Sequence, residues 1–492
     1  MVRESRVYVF TMAIIASLSG IVLGYDATVI SGAIEPLSQY FSLTPAMSGW
    51  AVSNVILGCV VGAYLAGSIA DRIGRKMALL VTAVLFSVSA IGSALATIFW
   101  VFVLFRLVGG LAVGIASAVT PMYISEISPH RLRGRMLGMQ QFLMVGGQVV
   151  VYIVNFSIAT GHDQAWLVDY GWRWMLASEL VPCALFLVLV FFLPRSPRWQ
   201  VLINHPAGAL DTLTRICGPD KAKTTLESIK TSLKHDGMSQ ARGVQLFRDA
   251  KTRYILLIGC AIAALQQVMG INILLYYAPS LLSNVTASTN DSLYQSIFIG
   301  LALFAGVIVS TLIIDRVGRV RLLRWGAIGC GISLVYTSYT FITHAGGFWP
   351  LYGLMGFILS FGLSWSLGAW LLISEIFPNR MRASAMGVAF CAMWGSNFLV
   401  TQFFPMLNRS EWLMAHMNGA FPLLICAGFS FLAFWFIGRF LPETNSVALE
   451  DIESVMLSKS RRFGAPDSAG TSASASPSSR PNASLPPHER HA

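Results

Sequence analysis

The sequence predicts an all-α membrane protein: twelve transmembrane helices arranged as two six-helix, pseudo-symmetric bundles. Three observations predict it. The 492 residues are 55% hydrophobic and only 12% charged, where a soluble domain carries about 25% charge. Apolar runs recur along the chain, each long enough to cross a roughly 30 Å hydrocarbon layer as a helix. Motifs of the first half return in the same order in the second.

The apolar runs cover 7–31, 49–70, 77–99, 101–124, 136–160 and 172–193, then 254–282, 293–314, 322–343, 348–373, 383–407 and 417–441. The first is too long for a signal peptide and lacks a small-residue cleavage pattern. Eleven more follow it, so it reads as a retained span. The polar stretch 195–253 reads as a cytoplasmic linker with short helices. Residues 442–492 read as a cytoplasmic tail, whose Ser/Pro/Ala-rich end lacks the apolar residues a folded core needs. The expected division is therefore a first bundle over 1–194, the linker 195–253, a second bundle over 254–441 and the tail 442–492.

The formal net charge of +11 does not point to nucleic acid. Arg72, Arg75 and Lys76 lie between spans 2 and 3, and Arg131, Arg133 and Arg135 between spans 4 and 5. Arg316, Arg319 and Arg321 lie between spans 8 and 9, and Arg380 and Arg382 between spans 10 and 11. The intervening loops carry almost none. This positive-inside bias puts both termini in the cytoplasm of a cell (inner) membrane protein. The seven cysteines are scattered, mostly within spans and without metal spacing, and read as small apolar packing residues rather than disulfides or ligands.

"DRIGRK" at 71–76 recurs as "DRVGRV" at 315–320, an offset of 244. "EISPHRLRG" at 126–134 recurs as "EIFPNRMRA" at 375–383, an offset of 249. Parallel repeats of this kind hold a substrate near the bilayer midplane between the halves and work by rocking one half against the other.

Within the runs, polar groups stand out. Asp26 is the single ionisable side chain between Leu18 and Ile34. A carboxylate at mid-bilayer costs about 2.5–3.5 kcal/mol on insertion scales, so it must face a cavity or a partner. Arg106 in span 4 is the candidate partner. The pair reads either as a switch that a proton biases or as a fixed helix–helix ion pair. Gln141 and Gln148 share one face of span 5. Gln266, Gln267, Asn272 and Tyr276 gather in "LQQVMGINILLYYAP". On an unbroken helix Gln266 and Tyr276 lie about 80° apart and share a quadrant. Amides both donate and accept, which suits a neutral ligand rich in hydroxyls. Trp370 and Trp394 offer flat apolar faces to C–H groups, and Asn397 joins the candidate binding set. The competing reading is interhelical hydrogen bonding, worth about 0.6 kcal/mol per bond. Asp71, Glu126, Asp315 and Glu375 sit beside arginines at matching turns of the two halves, as latches would.

These motifs carry a resemblance. "GYDATVISG", "GSIADRIGRK", "RLVGGLAVG", "PMYISEISPHRLRG", "QQFLMVGGQ", "GWRWMLASE", "SPRW", "QQVMGINILLYYAP", "SEIFPNRMR" and "LPETN" resemble the sugar porter family of the major facilitator superfamily, from residue 8 to 455. The resemblance implies roles. Asp26 matches the proton-coupling acid and Arg106 its partner. Gln141, Gln148, Gln266, Gln267, Asn272 and Trp370 match sugar-contacting positions, and Tyr276 a gate position. Asp71, Arg75, Glu126, Arg133, Asp315, Arg319, Glu375 and Arg382 match a cytoplasmic charge network. The chain also departs from the pattern. Arg195 stands where an acid is usual. Ser366-Leu367 replace the Gly-Pro break of span 10, which leads to an expectation of a straighter helix. Met393 and Leu303 stand where amides are common.

The expected function is symport: a proton-coupled secondary transporter that imports a neutral sugar or polyol, working as a monomer in the bilayer without cofactor or metal. The alternatives are a facilitative sugar uniporter and a proton-coupled transporter of a non-sugar organic solute. No span carries a nucleophile–base set, so no enzyme is expected.

Overall fold

The computed structural model describes residues 3–129, 132–239, 250–283, 288–345, 347–377 and 382–442. Of the expected features, Arg131, Arg380 and the tail beyond 442 lie outside the described residues, as do the side chains of Asp315 and Arg382.

The first six membrane helices are α1 Arg3–Tyr40, α2 Pro45–Ile73, α3 Arg75–Ala94, α4 Phe99–Ile127, α5 Arg133–Ala159 and α6 Gln164–Val190. Three short helices follow: α7 Pro197–Leu202, α8 Pro206–Cys217 and α9 Pro219–Ser239. The second set begins with a broken span, α10 Ala250–Val268 and α11 Ile271–Leu282. It continues with α12 Thr289–Val317 and α13 Arg319–Ile342. A second broken span follows, α14 Trp349–Leu363 and α15 Trp365–Ile376. Last come α16 Arg382–Asn408, the short α17 Glu411–Met417, and α18 Phe421–Phe440. Among the described residues, ten spans are long and apolar enough to cross a membrane. The other two, α13 and α16, have 24 and 27 residues, about 36–40 Å of helix. Together they make the expected twelve crossings.

The repeat is visible in the backbone. Gly74 joins α2 to α3 at φ 89°, ψ 153°, and Gly318 joins α12 to α13 at φ 93°, ψ 146°. Only glycine enters this region without strain. The "RLVGGLAVG" glycines bring α4 onto α2 at backbone distance: a Cβ at Gly110 would lie 2.0 Å from the Val55 carbonyl oxygen, and one at Gly114 2.2 Å from that of Cys59. Gly24 seats α1 on α5 in the same way, with the Met144 carbonyl 1.9 Å from a built Cβ. This fixes the helix that carries Asp26.

Two expectations need correction. Span 10 is not straight: Ser364, at φ −125° and ψ −69°, breaks it two residues before Ser366. The Ser364 hydroxyl donates to the Ser360 carbonyl at 2.7 Å, and the Trp365 indole donates to the Leu323 carbonyl at 3.0 Å. Local hydroxyl bonding and burial of a large ring thus make the break without proline. Span 6 starts at Gln164, not 172, and passes through a widened turn at Leu167–Gly171.

Candidate functional site

Asp26 and Arg106 meet in the interior. The Arg106 Nη1 donates to Asp26 Oδ1 at 2.7 Å, and its Nη2 to the Asp26 backbone carbonyl at 3.4 Å. The side chains are 0% and 2% exposed. Small neighbours make room: a Cβ at Gly109 would stand 3.4 Å from Asp26 Oδ1. The pair is not saturated. Among the described residues, Asp26 Oδ2 and Arg106 Nε have no hydrogen-bond partner. A buried ion pair with open valences is poorly suited to pure stabilisation, because desolvation of both charges offsets much of their attraction.

A second buried carboxylate lies within electrostatic reach of both. Glu179 on α6 is 1% exposed and interacts with Asp26 and Arg106. Its contact from Cys183 Sγ is long, 3.9 Å. Two acids and one guanidinium thus lie near one another, and Arg106 pairs with Asp26. The residue was overlooked in the sequence, although Glu179 is the single acidic or basic side chain between Met175 and Leu193. The rule that singles out Asp26 points to it as well.

The amides divide into satisfied and open groups. Gln148 is buried and its Oε1 has no partner. Gln266 donates to the Trp365 carbonyl at 3.1 Å, leaving its Oε1 without one. Asn272 donates to Gln267 Oε1 at 2.6 Å. Thr401 donates to Asn397 Oδ1 at 3.1 Å. The expected shared quadrant of Gln266 and Tyr276 does not arise. Gly270, at φ 98° and ψ 15°, breaks the helix between them, so wheel arithmetic does not carry across. Tyr276 instead comes within electrostatic reach of Asp26 and Arg106, joining the second half to the ion pair of the first.

Gln141 lines a cavity of about 140 Å³ with Gly138, Phe142, Val307, Thr311 and Leu367. Trp370 stacks on Phe390, ring centroids 5.0 Å apart. Trp394 is half-buried and packs against the apolar cores of both halves. Met393 and Leu303 are buried in an apolar core to which both halves contribute.

The turns rich in arginine all lie on one face, here the basic face. There Arg75 pairs with Asp71 at 2.9 Å and with Glu126 at 3.1 Å, and Arg319 pairs with Glu375 at 3.3 Å. In both halves the bond runs from the arginine Nε to the glutamate Oε1, a second backbone-independent sign of the repeat. These pairs close within a half, not across the seam. The Ser196 hydroxyl also donates to Glu126. Arg133 Nε has no hydrogen-bond partner.

On the opposite, far face, contacts do cross the seam, through residues the sequence did not mark. Arg409, immediately after α16, pairs with Glu35 on α1 at 2.7 Å. Gln402 accepts from Ser53 at 2.7 Å and donates to the Ala46 carbonyl at 3.0 Å. Deeper, the Tyr152 hydroxyl donates to the Leu275 carbonyl at 2.8 Å.

A family model described as "Sugar (and other) transporter" matches residues 12–456. The chain belongs to the sugar transporter family. It is 35% identical over 474 residues to the D-xylose-proton symporter of Escherichia coli (strain K12), covering 91% of this chain and 96% of that one. It is 34% identical over 455 residues to the arabinose-proton symporter of Bacillus subtilis (strain 168), covering 92% and 96%. Its structure is similar to the inward open conformation of the xylose transporter XylE from E. coli, with a TM-score of 0.81, 34% identity and coverage of 91% of this chain and 100% of that one. As a sugar transporter family member it is a multi-pass membrane transporter, not an enzyme, and it has the major facilitator fold expected of it.

Proposed function

We propose that this sugar transporter family member is a proton-coupled symporter that imports a neutral sugar or polyol across a bacterial inner membrane. The observation that carries the reading is the buried Asp26–Arg106 pair with its open Oδ2. Protonation there removes the charge that holds the guanidinium. Tyr276 lies within electrostatic reach of that change, so the second half senses it across the seam. The open Oε1 atoms of Gln148 and Gln266 are acceptors for sugar hydroxyls. Each buried acceptor left unmade costs about 1–3 kcal/mol. Trp370 and Trp394 supply apolar faces. The names of the two curated relatives, symporters of xylose and arabinose with protons, support the same assignment.

The basic face is the cytoplasmic one, because arginine-rich short loops stay inside. The far face is closed by the seam contacts, which matches the likeness to an inward open structure. In the cycle, Asp26 takes a proton from outside, sugar enters, the halves rock and the proton leaves inward. One proton per sugar gives about 2.3 kcal/mol per 100 mV, or roughly fiftyfold accumulation. Uptake of radiolabelled pentoses, hexoses and polyols into proteoliposomes tests this. Asp26→Asn is expected to abolish accumulation and keep exchange, and a protonophore to collapse accumulation by the wild type. Undiminished accumulation by Asp26→Asn refutes the assignment of the coupling site.

A further inference from the structure

The basic face of the first half carries a second feature, remote from the ion pair. The Lys76 ammonium at the start of α3 donates to the Phe191 carbonyl at the end of α6, 2.7 Å away. This ties the two helix ends together at the level where hydrocarbon gives way to headgroups. Arg195 follows four residues later. It is exposed, with its guanidinium carbon 6.0 Å from the Trp199 ring centre, and it lies within electrostatic reach of Lys76. Arg72, in the last turn of α2, is exposed four residues before Lys76.

The nearby acids are already engaged. Asp71 and Glu126 both pair with Arg75, and Glu126 also accepts from Ser196. Among the described residues, no acidic side chain pairs with Arg72, Lys76 or Arg195. Like charges held together without a counter-charge repel, and the arrangement is relieved when an anion bridges them. Lys76 spends one of its three donors on Phe191 and keeps two. Arg195 presents a planar fork suited to two phosphate oxygens.

The surroundings of the cations are apolar and outward-facing. Phe191 and Phe192 are 61% and 66% exposed, and Met77 on α3 is 43% exposed. A free anion has no use for these side chains. An amphiphile does: acyl chains lie along Phe191, Phe192 and Met77 while a phosphate sits among the cations. We propose that Arg72, Lys76 and Arg195 form a binding site for a phospholipid with an anionic headgroup, at the junction of α3, α6 and the segment that leads into the linker helices. Each cation near an anionic surface contributes about a fivefold change in affinity.

Native mass spectrometry of the delipidated full-length protein, titrated with phosphatidylglycerol or phosphatidylcholine, tests the site without reference to transport. Wild type is expected to retain phosphatidylglycerol in preference to phosphatidylcholine. Arg195→Gln is expected to lower that preference about fivefold and Arg195→Glu to lower it further. Arg195→Lys, which keeps the charge, is expected to preserve it and so controls for misfolding. Equal retention of the two lipids by wild type overturns the proposal. So does an Arg195→Glu variant with unchanged preference. Displacement of bound phosphatidylglycerol by glycerol phosphate at the lipid's own concentration also overturns it, because the apolar residues then add nothing. Loss of transport with lipid preference intact leaves this site standing and counts only against the symport reading.

Discussion

At the scale of single residues, the unequal charge count of the buried cluster has a consequence. Asp26, Glu179 and Arg106 sum to one net negative charge inside a low-dielectric interior when all three are ionised. Replacing Glu179 by Gln removes that excess charge beside Asp26 and Arg106. The pH profile of accumulation by Glu179→Gln is expected to move away from that of the wild type, while exchange of sugar persists. Proteoliposome uptake measured across a pH series checks it, and an unmoved profile assigns Glu179 a packing role only. Asp26 and Arg106 were legible in the sequence because a charge within an apolar run is expensive wherever it points. Glu179 obeys the same rule but was hidden by the predicted helix start at Trp172, which put it close to a membrane boundary. The actual start at Gln164 sets Glu179 about 22 Å along the helix, well inside the bilayer. The orphan atoms of Gln148 and Gln266 could not be read from sequence, since satisfaction depends on what the folded neighbours leave open.

At the scale of elements, helix count and order follow from hydropathy, but helix breaks do not. Gly270 and Ser364 interrupt spans 7 and 10. Neither has a proline beside it, and one depends on a serine hydroxyl turning back to its own helix. The break at Gly270 also undoes any prediction of shared faces across it, as it did for Gln266 and Tyr276. Helix contact was better announced. The glycines of "RLVGGLAVG" permit close approach, and α2 and α4 do touch at backbone distance. Gly110→Ala places a methyl 2.0 Å from the Val55 carbonyl oxygen, with backbone on both sides. The helices must separate, at a cost of about 1–3 kcal/mol. Gly67→Ala, on the partner helix α2 but with nothing within 4 Å, is the control. In detergent, the monodisperse fraction surviving a heat step is expected to fall for Gly110→Ala and to stay at the wild-type level for Gly67→Ala. Equal survival of the two variants contradicts the packing argument.

At the scale of the whole molecule, the two halves were announced by their repeated motifs, whereas the contacts that join them were not. Glu35 and Arg409 are separated by 374 residues and stand outside every repeat, so no local pattern announces that they pair. Their position gives the pair leverage. Glu35 lies nine residues beyond Asp26 on α1, and Arg409 immediately follows α16, which carries Trp394 and Asn397. The pair therefore ties the far ends of the helix that carries Asp26 and the helix that carries Trp394 and Asn397. It is about one-third exposed, so its strength is that of a surface pair, about 0.2–1 kcal/mol, and it weakens in salt. That is enough to bias two conformers of similar free energy by up to about fivefold. Glu35→Gln and Arg409→Gln are each expected to favour opening of the far face. Hydrogen–deuterium exchange at the far ends of α1 and α16 reports it, rising in either variant and rising in wild type as salt is added. The exchanged pair Glu35→Arg with Arg409→Glu is expected to restore protection, because the attraction survives reversal. Gln402→Ala, which removes two neutral hydrogen bonds across the same seam, is expected to open the face without acquiring salt dependence. If the charge-reversed double variant exchanges as fast as the single ones, the ion pair does not hold the far face shut, and closure there rests on Gln402 and the packed helices alone.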